Sequence, residues 1–158
     1  MNSTIESAKG EFERAVVRLT QSVAATPDEK IDWSPAPTAR TPIEIAFHCT
    51  EVINALHGAI SGTDPMPAAS PVEMDTYFRT SEMTHGSRDE VVKKLKENAA
   101  AYTKWLDELP EEKLAEFWAS PFGEIPYSVA ITLPAYHTAN HTAQLEYIQT
   151  IYGDRVWH

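Results

Sequence analysis

A chain of 158 residues with 42% hydrophobic side chains can build one sizeable core and is too apolar for a disordered polymer. Its 23 acidic and 13 basic residues give a formal net charge of −10, which argues against nucleic acid and anionic membrane, since phosphate neutralisation needs a basic stripe. One cysteine, Cys49, excludes an internal disulfide framework, and no apolar run approaches the roughly 20 residues of a membrane span.

The opening MNSTIESAKGEFERAV turns amphipathic at once and lacks a signal peptide's basic and apolar regions. A cytoplasmic protein with a single domain over residues 1–158 is therefore expected. Residues 3–25 read as a first helix, with Ser3 and Glu6 in a capping-box pattern and an apolar stripe through Ile5, Ala8, Phe12, Ala15/Val16, Leu19 and Val23. The proline-bearing segment TPDEKIDWSPAPTAR cannot continue it. T-P-I-E at 41–44 announces a second helix, with Thr41 as cap, Pro42 in the first turn and Gly62 as stop. Its stripe is Ile45, His48, Val52, Ala55/Leu56 and Ala59, so a histidine stands where the pattern asks for an apolar residue.

Residues 62–86 read as a long connection, and Ser87 with Glu90 caps a third helix at about 88–109. Residues 110–127 read as irregular with room for a short helical turn. A fourth helix starts between Ser128 and Thr132, carries Pro134 near its beginning and ends near Tyr152 and Gly153. Four amphipathic helices without convincing period-2 strands predict an all-α four-helix bundle. The 62–86 link can span roughly 30 Å, which permits a crossover that leaves the second and third helices parallel.

On the fourth helix His137 and His141 are four positions apart and so share one face, with Gln144 three further on. Both histidines fall on the predicted inner stripe, as His48 does on the second helix. Three imidazoles converging inside a bundle match a metal site with three protein ligands and one open position. Zinc or nickel is the expected ion, with iron, copper and manganese also compatible. The competing reading makes all three core histidines, satisfied by backbone carbonyls or by one another. His57, nine positions after His48, falls on the opposite face of its helix; His85 lies in a loop and His158 at the terminus.

Other metal motifs are absent. A zincin requires glutamate directly after the first histidine, where this chain has Thr138. Carboxylate-bridged di-iron bundles require Glu-x-x-His, whereas Ile45, Pro134 and Thr138 precede the three histidines by three. No Gly-rich phosphate loop or GxSxG elbow occurs.

Three stretches together, the capped TPIEIAFHCTEV with His48, HTANHTAQL with its H-x-x-x-H-x-x-Q spacing, and DWSPAP ahead of the second helix, resemble the DinB/YfiT-like superfamily. The resemblance covers essentially the whole chain in length and helix order. It implies an up-down-down-up bundle, a divalent metal on three histidines and a homodimer acting on a small molecule. It also implies either thiol-dependent transfer, with mycothiol or bacillithiol as co-substrate, or hydrolysis. A metal-stabilised dimeric scaffold or stress-response interaction protein without turnover is the alternative.

An open metal position would activate a water or thiol as nucleophile. Gln144 is expected to orient a ligand or substrate from behind His141, or else to bond between helices. Glu51, three after His48, is the general-base candidate on the second helix, with a solvated surface glutamate as the plainer reading. Trp33, Tyr77, Phe78, Trp118 and Phe122 fall in the connections expected to rim the pocket or cap the core.

Overall fold

The computed structural model describes residues 3–158. Helix α1 (Ser3–Ala25) buries the predicted stripe from Ile5 to Val23. Ser3 is already helical, so it does not stand ahead of the helix as the capping pattern required. A 3₁₀ turn at Asp28–Lys30 follows. Thr41 then opens α2 (Pro42–Ser61): its hydroxyl accepts from the Glu44 N–H at 3.3 Å, and the Thr41 N–H donates to Glu44 Oε2 at 2.7 Å. Gly62 ends α2 with φ 79°, the left-handed conformation that suits glycine.

The connection read as 62–86 is not irregular throughout. Ser70 caps a further helix, α3 (Pro71–Glu82), accepting from the Glu73 N–H at 3.3 Å with Pro71 in the first turn. Only Phe78 and Glu82 of α3 are buried, so it carries no apolar stripe. Helix α4 (Arg88–Glu108) has the predicted Ser87–Glu90 capping box. After a 3₁₀ turn at Glu111–Ala115 comes an antiparallel hairpin, β1 (Phe117–Ser120) and β2 (Gly123–Pro126), with Trp118 opposite Ile125. The expectation of no strands is corrected here: four residues per strand are too few to display a period of two. One helical turn, α5 (Tyr127–Ala130), leads into α6 (Leu133–Ile151). Pro134 lies in the first turn of α6, where its missing N–H has no intrahelical acceptor to lose.

The long helices α1, α2, α4 and α6 form a four-helix bundle, in which α1 and α2 each pack against both α4 and α6. Side-chain pairs fix their relative sense. Lys9 meets Asp107 at 2.6 Å while Arg88 donates to the Thr26 carbonyl at 2.7 Å, so α1 and α4 are antiparallel. Lys94 meets Glu51 at 2.6 Å while His57 packs on Trp105, so α2 and α4 run the same way. Ile45 shares one surface cleft with Gln144 and Ile148, and Val52 another with Leu133, so α2 and α6 are antiparallel. Phe12, Leu19, Ile53, Leu95, Tyr102 and Leu145 fill the centre. No helix among the described residues is long and apolar enough to cross a membrane.

Candidate metal centre

His48 sits in the middle of α2, in a register set by the Thr41 cap, and His137 and His141 lie one turn apart on α6. Antiparallel packing of these helices brings the rings together. Centroids are 5.0 Å apart for His48–His137, 4.6 Å for His48–His141 and 4.4 Å for His137–His141. One ring nitrogen from each lies within 4.8 Å of the other two, so the three could hold a metal ion.

The back of each ring decides which nitrogen is free. Gln144 Oε1 accepts from His141 Nδ1 at 2.9 Å, which leaves Nε2 of His141 unprotonated. His48 Nδ1 lies 2.9 Å from Glu82 Oε1, at an angle short of a well-aligned hydrogen bond, and neither atom has another partner. Glu82 is only 2% exposed, and its other oxygen accepts from Arg40 Nε at 2.8 Å. Burial alone would raise the Glu82 pKa; His48 and Arg40 outweigh it and hold the carboxyl below its ordinary value. His137 Nε2 is buried without any partner.

Desolvation, reinforced by the neighbouring histidines, depresses His137 to about 2 and His141 to about 4. Both rings are therefore neutral near pH 7, the form that ligates a metal. A buried, partnerless nitrogen beside two rings whose opposite nitrogens face oxygens is the donor set a divalent ion requires. The residues fit the ion.

Gln144 stands behind His141, one of the two roles the sequence left open for it. Glu51 does not face the cluster: Lys94 holds its carboxylate on the α4 side. The carboxylate at the cluster is Glu82, which sequence reading missed together with Arg40. His57 packs on Tyr102 and Trp105, away from the site, while His85 and His158 lie near Asp32 and Asp154. Cys49 is buried, and burial pushes its thiol pKa up, so it offers no thiolate. The inner face of α6 runs through Pro134, Thr138, Thr142, Leu145 and Gln149, which leaves His137 and His141 half-buried on its flank toward α2.

A cleft of about 410 Å³ opens on His48 and His137. Phe78, Trp118 and Phe122 line it. Trp33 instead packs against Tyr152 at 6.2 Å, and Tyr77 is exposed against Phe78. A larger cleft, about 760 Å³, runs between Gly62, Met66 and Ser120 and touches none of the three histidines.

The DinB superfamily pattern matches residues 11–145. Among solved structures, YfiT from Bacillus subtilis is similar with a TM-score of 0.76 and 16% identity, covering 97% of this chain and 90% of its own. It is described as "a probable metal-dependent hydrolase with an unusual four-helix bundle topology". DfsB, a sibling lethal factor precursor, has a TM-score of 0.76 at 15% identity, covering 98% of this chain and 99% of its own. A conserved protein from Enterococcus faecalis has a TM-score of 0.70 at 16% identity, with coverage of 98% and 99%. At such identities the likeness is one of fold. No curated protein matches the chain in sequence.

Proposed function

The chain belongs to the DinB superfamily, and from that premise we propose that it is a metal-dependent hydrolase whose ion is held by His48, His137 and His141. The observation that carries this reading is the convergence of three ring nitrogens from two helices, within 4.8 Å of one another. A bound zinc or nickel ion would supply an activated water and a Lewis acid for a carbonyl. The protein's own part is orientation. Glu82 lies beside Nδ1 of His48 and Gln144 accepts from Nδ1 of His141, which leaves Nε2 of each ring to a ligand, and Phe78 packs edge-on against His48 with centroids 5.2 Å apart. The cleft over His48 and His137 keeps the reacting bond in apolar surroundings, where electrostatic interactions strengthen.

Thiol transfer would draw on the same three ligands. Mycothiol and bacillithiol are polar sugar thiols, and the cleft offers them few polar partners, which favours hydrolysis. The test is an assay of ester and amide cleavage beside thiol conjugation to an electrophile, using protein loaded with zinc, nickel or manganese. Cleavage abolished by chelation, restored by metal and lost in His48→Ala is expected. Metal-dependent conjugation without cleavage, or cleavage indifferent to metal, would overturn the reading.

A further inference from the structure

We propose that the cleft beside His48 and His137 binds an uncharged apolar acyl or aryl group, so that the substrates are neutral esters or amides bearing one. The bond cleaved rests on the hydrolase reading above; binding of the apolar group does not.

The volume of about 410 Å³ falls within the roughly 300–1,000 Å³ of small-molecule sites. The walls are Val52, Met74, Phe78, Trp118, Ile125 and Leu133, drawn from α2, α3, the hairpin and α6. Val52, Phe78 and Trp118 are buried, while Phe122 and Tyr136 are exposed and make the rim. The Trp118 indole N–H is already given to the Ala59 carbonyl at 3.1 Å, so this side chain offers the cleft only apolar surface.

Charge sets the rest of the specificity. No lysine or arginine lines the cleft, so a carboxylate or phosphate on the substrate's body, away from the histidines, finds no cationic partner there. The one charged lining residue, Asp75, lies 3.6 Å from Arg40 and 3.8 Å from Arg79, so two cations already attend it. Apart from Asp75 and the Tyr136 hydroxyl on the rim, the polar groups of the lining are the rings of His48 and His137. A ligand matching this layout has an apolar body and one polar carbonyl end. Phe78 joins the two halves, since it lines the cleft and touches His48.

Two titration series test this. Straight-chain hydroxamic acids, from acetohydroxamic to octanohydroxamic, are titrated calorimetrically into zinc-loaded protein. Primary alcohols from ethanol to octanol are titrated into metal-free protein. Affinity should rise about fourfold per methylene in both series until the cleft is filled. Met74→Glu, on the half-buried side of α3, should flatten both slopes while leaving metal content unchanged, and Met74→Leu should keep them. Affinities independent of chain length, or tighter binding of chains ending in a carboxylate, would overturn the proposal. A rising alcohol series in protein that takes up no metal would support the cleft and reject the ligand assignment. A flat series in metal-loaded protein would do the reverse.

Discussion

Glu82 stands between Arg40 and His48, a buried carboxylate with one oxygen toward each. Arg40 is 12% exposed at its side chain and has Glu82 as its main partner, with Asp75 a more distant second acceptor at 3.6 Å. Glu82→Gln keeps the shape but weakens the hold on His48, and metal affinity should fall about 10–100-fold by competition titration. Glu82→Ala leaves the guanidinium without its main partner and should cost about 3–5 kcal/mol in denaturant unfolding. Gln144→Ala should weaken metal binding in the same direction with little change in stability, because Gln144 is exposed. The depressed histidines give the metal-free protein a pH dependence whose sign is fixed. As pH falls below the ordinary histidine value of about 6.5, the unfolded chain takes up protons first. Folded His141 follows only at about 4, and His137 at about 2. Melting temperature should therefore decline from pH 6.5 toward 4, and His137→Asn with His141→Asn should make that decline shallower.

Helix α3 carries Glu82, Phe78 and Met74, so the histidine cluster and the cleft both depend on its holding together. Ser70→Ala removes its cap at a cost of about 1 kcal/mol. Amide exchange in α3 should quicken, α2 and α6 should stay protected, and metal should bind more weakly as Glu82 departs. S-P-V-E at 70–73 repeats the start signal of T-P-I-E at 41–44, although the sequence reads as a connection there. What hid it was its packing, since two buried side chains on twelve residues make no stripe. Glu82 was hidden with it, because nothing local marks a glutamate whose partners are 42 and 34 positions away. Glu51 looked better by spacing along α2, but spacing cannot show that Lys94 approaches from α4. On α6 the four-residue spacing placed both histidines on one face, while the centre of the buried face is set by Thr138 and Thr142, small enough for close packing.

At the scale of the whole molecule, the four long helices were legible because each of their signals is local. Caps at Thr41 and Ser87, the stop at Gly62 and the apolar stripes of α1 and α4 need no knowledge of neighbours. How the helices pair is non-local and emerges only from contacts between them. One such tie is the Tyr102 hydroxyl on α4, which donates to the Ile131 carbonyl at 2.7 Å in the corner before α6. Tyr102→Phe strands that buried carbonyl and should cost about 1–3 kcal/mol in denaturant unfolding. A metal that joins α2 to α6 should in turn stabilise the bundle, by about 2.7 kcal/mol at a hundredfold excess over its Kd. The most direct measurement of the site is metal content per chain after purification without immobilised metal and incubation with zinc or nickel. The wild-type protein and His57→Ala should hold about one equivalent, and His48→Ala less than about a tenth. A wild-type chain that stays empty, or equal metal in His48→Ala and His57→Ala, would contradict the three-histidine assignment.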